Sequence, residues 1–252
     1  MPDKIDTYYE PFVGGASILY QLISSNKIVD KYICSDKNND LISLWNLIKN
    51  NPNRVAEQYR YMWNELNYDD DKERKKMYYY SIRERFNEYK DPNDFMFIMR
   101  TTTNGMPRYN KSGKFNNSFH ITRNGIFPDK LDRIIEEWSY ILNRHNVEFV
   151  SQDYSQILSS KHDFLYLDPP YAGTKGMYYG SINYDALWKW IRLQNGRYML
   201  SFDGKTSSSD STYDVPRDIY TEHRYLSNGN SSFRRVIGKS NKEYVEESLY
   251  LS

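Results

Sequence analysis

Asp168, Pro169, Pro170 and Tyr171 close the apolar run DFLYL at 163–167. Prolines cannot donate to a sheet ladder, so a strand must stop there. One reading of the tetrapeptide is a rigid strand-ending turn. The other is a stiff cup with two acceptors, the Asp168 carboxylate and the Pro169 carbonyl, beside the Tyr171 ring. Two acceptors on one exocyclic NH₂ draw its nitrogen toward tetrahedral geometry and expose the lone pair that conjugation otherwise delocalises. A planar base can stack on the tyrosine, an interaction worth ~1–3 kcal/mol per base. The paired prolines set this geometry before any ligand arrives. No metal is expected. His120, His145, His162 and His223 are scattered without ligand spacing, and Cys34 is the single cysteine.

Three further segments could serve the same chemistry. YYEPFVGGAS (8–17) places Gly14 and Gly15 at the end of a first strand and opens a helix, so backbone can approach a ligand there. It does not match GxGxxG, which leaves a nicotinamide reading little support. An ordinary strand–turn–helix stays open. In ICSDKNND (33–40), Asp36 ends the second strand roughly 20 residues beyond the glycines, where a carboxylate can accept from both ribose hydroxyls of a nucleoside. Asp36 could equally cap the helix that follows. Asp153, in SQDYSQIL (151–158), could bind the exocyclic amine of an adenine ring or cap a short helix.

A fourth segment suits a polyanion. RTTTNGMPRYNKSGKFNNSFH (100–120) has no acidic residue, and residues 101–128 carry Arg108, Lys111, Lys114 and Arg123. NKSG reads as a hairpin turn between two short strands, RY and KF. Interleaved Tyr109, Phe115 and Phe119 suit contact with phosphates and bases. A solvated loop of the same composition is the competing reading.

These groups need a scaffold. At 252 residues the chain suits one large domain or a domain with an insertion, and its formal charge of +1 means that any basic surface is local. Strands are expected at 7–13, 31–36, 147–153, 163–168, 197–203, 219–226 and 244–251. Helices are expected at 17–24, 39–49, 129–144 and 184–194. This alternation argues for a parallel sheet with right-handed crossovers, finishing in an antiparallel pair. Residues 53–90 are charged and tyrosine-rich with helical spacing, so 53–128 reads as an insertion between the second and third core strands. No apolar run approaches the ~20 residues of a membrane span, and MPDKIDTYY lacks a signal-peptide core. The expected location is cytoplasmic, in a bacterium or an infected host cell.

In this order, and along nearly the whole chain, the motifs resemble the Dam-type (D12) class of DNA N6-adenine methyltransferases, whose amino-methylating motif is DPPY. EPFVGGAS (10–17) resembles its glycine motif for S-adenosyl-L-methionine (SAM), and SDKNNDLI (35–42) its ribose-binding acid and helix. The DNA-contacting pattern RxxxNGxxRxNxxGxFNxxF is matched by Arg100, Asn104, Gly105, Arg108, Asn110, Gly113, Phe115, Asn116 and Phe119. DPPYAGT (168–174), SSFRR (231–235) and EESLYLS (246–252) are similar to its later segments.

The resemblance implies an α/β fold: a Rossmann-like class I SAM-dependent methyltransferase sheet of seven strands with a C-terminal antiparallel hairpin. Residues 1–52 and 129–252 would form the catalytic domain, and 53–128 an inserted helical and hairpin region that reads DNA. The activity implied is methyl transfer from SAM to the N6 amine of an adenine flipped from duplex DNA. Asp168, Pro169, Pro170 and Tyr171 would be catalytic. Tyr8, Glu10, Phe12, Gly14, Gly15, Asp36 and Asp153 would bind SAM. Arg100, Asn104, Arg108, Asn110, Lys111, Lys114, Asn116 and Arg123 would face DNA. Members of this class carry a glycine- and lysine-containing segment before the first strand, whereas only MPDKI precedes TYYEPF here. That implies a second chain or a missing N-terminal segment completing the SAM site, or else weakened cofactor binding. A binding module on the same scaffold, holding DNA or a partner without catalysis, is the alternative. The Asn-, Lys- and Tyr-rich composition hints at a low-GC or phage genome, and the family suggests restriction–modification as a setting.

Overall fold

The first strand ends where Pro11 cannot extend a ladder, and a later one stops just before the Asp168-Pro169-Pro170 turn. The structure, a computed structural model, describes residues 1–103, 105–171, 182–206, 210, 212–230 and 244–252. Strand β1 (Lys4–Glu10) runs parallel to β2 (Ile28–Asp36), with Lys4 opposite Ile28 and Glu10 opposite Cys34. It therefore begins and ends earlier than the expected 7–13, because Pro11 has no N–H to give. Strand β3 is Val147–Ser151 and β4 is Phe164–Leu167, the latter stopping one residue before Asp168. Strand β5 (Arg197–Thr206) is longer than expected. Strand β6 (Glu222–Asn230) starts late because 217–219 form a 3₁₀ turn, and β7 is Tyr244–Leu251.

The strands form one seven-stranded sheet in the order β3-β2-β1-β4-β5-β7-β6. β1 pairs parallel with β2 and β4, and β4 with β5, whereas β7 is antiparallel to both β5 and β6. That is the expected α/β sheet with its C-terminal antiparallel hairpin. The chain divides into two compact units, one of residues 1–35 with the described residues from 152 onward, the other of 36–151.

In the first unit the period-2 alternation of strand side chains sorts the sheet into two faces. Leu165, Leu167, Leu200, Phe202 and Tyr250 form one apolar core with Leu187, Trp188, Trp190 and Ile191 of helix α7 (Tyr184–Ile191). Each fully buried Leu or Phe contributes roughly 1.5–3 kcal/mol. Trp190 Nε1 donates to the Ile157 carbonyl at 2.8 Å, so the one polar atom of that ring is satisfied. The opposite face carries Tyr8, Glu10, Tyr32, Cys34, Tyr166 and Ser201, a polar set at the carboxyl ends of the strands. Helix α1 (Ser17–Ile23) follows the glycine turn.

The second unit contains α2 (Asn39–Asn50), α3 (Pro52–Leu66), α4 (Lys72–Tyr89), α5 (Pro92–Thr101), α6 (Pro128–Arg144) and β3. Asn38, Asn51, Asp71 and Asp91 cap α2 to α5 with side-chain acceptors, and proline opens α3 and α5. Helix α5 was not anticipated. Phe95, Met96, Phe97 and Ile98 are buried in succession, so no alternation with polar residues betrays the period. Trp45 stacks on Phe149 at 5.3 Å and meets Trp138 edge-on at 4.8 Å, joining α2, α6 and β3.

Candidate active site and nucleic-acid interface

At the end of β1, Pro11 frees the chain from its ladder, and Val13 N donates to the Ser35 carbonyl at 2.9 Å. Gly14 has φ +47° and Ala16 φ +56°, both in the left-handed region. The strain carried by Ala16 fits a turn held in shape by its surroundings. A Cβ on Gly15 would meet nothing within 4 Å, so the turn presents bare, open backbone there.

Next to this turn lie two acids, one buried and one open to solvent. Glu10 is 3% exposed and accepts from Tyr8 Oη at 2.8 Å. Burial pushes its carboxyl up to about 8, the Tyr8 bond opposing and the Asp168 charge adding to the rise. Asp168 follows β4, the strand that pairs with β1 through Tyr9 and Leu165. Its pKa is pushed up to about 6, first by burial, against a hydrogen bond from Tyr171, and further by the charge of Glu247. Asp168 nevertheless keeps a solvent-exposed surface. A carboxylate crowded by protein yet open on one side meets both conditions. Tyr171 Oη is 2.8 Å from Ser201 Oγ, its ring tilts against Phe202 at 5.9 Å, and burial raises its phenol well above the usual range. Tyr184 Oη donates to the Pro170 carbonyl at 2.9 Å and so braces the second proline from α7.

The two other strand-end acids have local roles. Asp153 Oδ1 accepts from Ser155 N at 3.0 Å and Ser155 Oγ at 2.6 Å, capping the short 3₁₀ helix Tyr154–Gln156. The Phe12 and Tyr154 rings, 5.5 Å apart, bring that turn beside the glycine turn. Asp36 Oδ1 accepts from Asn38 N at 2.9 Å, but the cap of α2 is Asn38, which accepts from Asp40 N and Leu41 N at 3.1 and 3.4 Å. Asp36 closes β2 as expected, without the capping task.

In the second unit the NKSG turn forms the expected hairpin in minimal form: RY and KF pair antiparallel, with Asn110 N donating to the Lys114 carbonyl and Asn116 N to the Arg108 carbonyl, both at 2.9 Å. Only an isolated bridge joins Tyr109 to Phe115, and another joins Thr102 to Phe119. Gly113 has φ +74°, and Asn110 Oδ1 accepts from Ser112 N, Ser112 Oγ and Lys114 N at 2.7–3.0 Å. Asn110 thus holds the tip in shape. Phe115 does not face outward: it is 1% exposed and packs against Phe86 and Phe95 at 5.9 and 6.4 Å. Its ring gains more from core burial than from solvent exposure, which overturns the reading of Phe115 as a base contact. Phe119 packs against Tyr79 at 5.2 Å. Two organising residues were missed. Asn87 holds both backbone groups of Phe115, at 2.7 and 3.1 Å, and Asn117 holds Arg108 N and the Met106 carbonyl at 2.8 and 2.7 Å. Their only local signal was an asparagine within two residues after a phenylalanine, Phe86 and Phe115.

The loop's cations stay available. Arg108 Nε reaches Asn116 Oδ1 at 3.0 Å and Arg123 reaches the Thr102 carbonyl at 3.0 Å. Among the described residues, none of Arg100, Arg108, Lys111, Lys114 and Arg123 forms an ion pair with a carboxylate, and all five are exposed. Asn104 lies outside the described residues. No group of His, Cys, Asp or Glu among the described residues could hold a metal ion.

The strand order, with a glycine turn after β1 and an acid–proline turn after β4, is that of the Rossmann-like α/β fold. The chain matches the sequence model of the D12 class N6 adenine-specific DNA methyltransferases over residues 1–232, and it belongs to that family. The type II methyltransferase M.MjaIII of Methanocaldococcus jannaschii is 32% identical over 177 residues, 67% of this chain and 59% of that protein. The type II methyltransferase M1.LlaDCHI of Lactococcus lactis subsp. cremoris is 27% identical over 68% of this chain and 58% of its own length. The DNA adenine methylase of Escherichia coli K12 is 31% identical over 67% of this chain and 57% of its own length. The chain thus spans less than two thirds of the length of these relatives.

Proposed function

We propose that this chain is a site-specific DNA adenine methyltransferase, transferring methyl from SAM to the N6 amine of an adenine flipped from duplex DNA. The observation that carries the reading is the braced Asp168–Tyr171 turn, set on the strand next to the glycine turn. In this reading Asp168 and the Pro169 carbonyl accept the two N–H bonds of the amine, and Tyr171 lies against the base. Pro170, fixed by Tyr184, keeps both acceptors in place.

The donor set suits a nucleoside-bearing cofactor. Bare backbone at Gly14 and Gly15 admits close approach, Asp36 suits the ribose, Asp153 the adenine amine, and Tyr8, Glu10 and Phe12 line the end of β1. SAM supplies an electrophilic methyl on a sulfonium, so the protein's contribution is largely alignment. Asp168 need not take a proton before attack. The amine loses its proton once it has become cationic, and a carboxylate with its pKa near 6 is a better acceptor than an ordinary aspartate.

Residues 53–128 form the target-recognition region. Arg100, Arg108, Lys111, Lys114 and Arg123 neutralise phosphates, while Asn110 and Asn116 order the loop or meet the duplex and Asn104 meets the duplex. The test is transfer of labelled methyl from SAM to duplex DNA of diverse sequence. Wild-type protein labels the DNA and Asp168→Ala does not. SAM and DNA binding without any label transfer would leave only a binding module.

A further inference from the structure

The loop assigned to DNA touches the loop assigned to the cofactor's ribose, and it does so through one hydroxyl. Tyr109 Oη donates to Asp40 Oδ2 at 2.6 Å and lies 3.5 Å from Asn38 Oδ1. Asn38 is the cap of α2, 2% exposed, and its own N–H is held by Asp36 Oδ1 at 2.9 Å. The chain of contacts therefore runs Tyr109, Asp40, Asn38, Asp36, entirely within the unit of residues 36–151. Tyr109 sits between Arg108 and Asn110, so its backbone moves with the basic turn. Its ring meets Phe115 edge-on at 5.7 Å. Lys90 strengthens the junction: its Nζ lies 3.7 Å from Asp40 Oδ2, 5.5 Å from the Tyr109 ring centre and 3.5 Å from the Gly113 carbonyl. Asp40 is 12% exposed at its side chain, so its charge is only weakly screened by solvent.

We infer that Tyr109 is a positioning residue that couples DNA engagement to cofactor binding. The inference rests on the function proposed above and goes beyond it, because it concerns how two binding events inform each other. The bistable element is the docking of the 105–116 turn onto the start of α2. With Tyr109 bonded to Asp40, the cap of α2 and the Asp36 carboxylate are held in place. With that bond absent, the turn and the Asp36 loop move independently. DNA that grips Arg108, Lys111 and Lys114 orders the turn in its docked state, and a ribose on Asp36 orders the same junction from the other side. Ordering shared by two ligands is incurred once, which makes each bind more tightly in the presence of the other. Linkage requires the effect to be reciprocal.

The test is calorimetric titration of the full chain with SAM, and separately with its non-reactive demethylated analogue, with and without duplex DNA. Wild type is expected to bind the cofactor at least ~5-fold more tightly with DNA present. Tyr109→Phe keeps the ring against Phe115 and Lys90 while removing the hydroxyl, and it is expected to bring the ratio close to one. Asp40→Ala should do the same, and the double variant should lose no more than either single one. A merely structural role would weaken each binding event and leave the ratio intact. A Tyr109→Phe ratio equal to wild type, or a wild-type ratio of one or below, overturns the inference while leaving the methyltransferase reading in place. Failure of wild type to bind either ligand would instead remove the reading on which it rests. Circular dichroism and thermal melts of each variant establish that the ratios come from folded protein.

Discussion

Replacing Glu247 with glutamine tests how the protein sets the charge on Asp168. Leu249 of β7 is paired with Ser201, so Glu247, two residues before it, shares the sheet face of Ser201. Tyr171 bonds Ser201 on that face, and the Glu247 charge is felt by both Tyr171 and Asp168. With its pKa near 6, Asp168 is roughly nine-tenths ionised at pH 7 and roughly one-tenth at pH 5. An aspartate at its ordinary value would still be about nine-tenths ionised at pH 5. If the ionised carboxylate accepts the amine N–H, kcat/KM for methyl transfer falls about tenfold between pH 7 and pH 5. Glu247→Gln removes a repulsive charge and moves the acidic limb to lower pH. Burial, the larger cause, keeps it above the ordinary aspartate value. The assay is initial rates of labelled methyl transfer from pH 4.5 to 8 for both proteins. An unmoved or higher midpoint in the variant would mean that the Glu247 charge does not raise the Asp168 carboxyl.

Other consequences are direct. Lys111→Gln and Lys114→Gln should each weaken DNA binding regardless of sequence and lower the slope of log K against log salt by about 0.9, read from binding isotherms at several salt concentrations. Glu10 has its carboxyl raised to about 8, so its folded form holds a proton that the unfolded chain releases near 4.5. Its contribution to stability is thus full below pH 4.5 and lost as pH rises toward 8. Glu10→Gln should flatten that loss, seen as a smaller change in denaturant midpoint between pH 5 and 8. Gly204→Ala would bring a Cβ within 1.9 Å of the Glu246 carbonyl oxygen, at the register shift between β5 and β7. Because the obstacle is backbone, destabilisation of about 3 kcal/mol or more is expected in urea titration.

The sequence carried the sheet and its turn chemistry well, because these rest on local signals. DFLYL before two prolines, paired glycines after an apolar run, and acids at strand ends all announce themselves within ten residues. What it hid was long-range. Pro11 decides where β1 ends, but only the pairing of Lys4 with Ile28 says where it begins. Asp163 read as the first residue of a strand. It is instead a buried acceptor for Thr7 N at 3.0 Å and Ser160 N at 2.6 Å, tying β1 to the turn before β4. Phe115 and Lys114 are neighbours in a basic loop, and nothing local says that one enters the core while the other stays exposed. The Tyr109–Asp40 bond spans 69 residues and left no trace in spacing or composition.

In the proposed reaction the Asp168–Tyr171 turn presents an adenine amine to a methyl donor. Its most direct test is to incubate duplex DNA with the protein and methyl-labelled SAM, digest the DNA to nucleosides and separate them. All transferred label is expected to elute as N6-methyl-2′-deoxyadenosine, and Asp168→Ala to give none. Label on the amine of deoxycytidine instead, or undiminished label with Asp168→Ala, would contradict it.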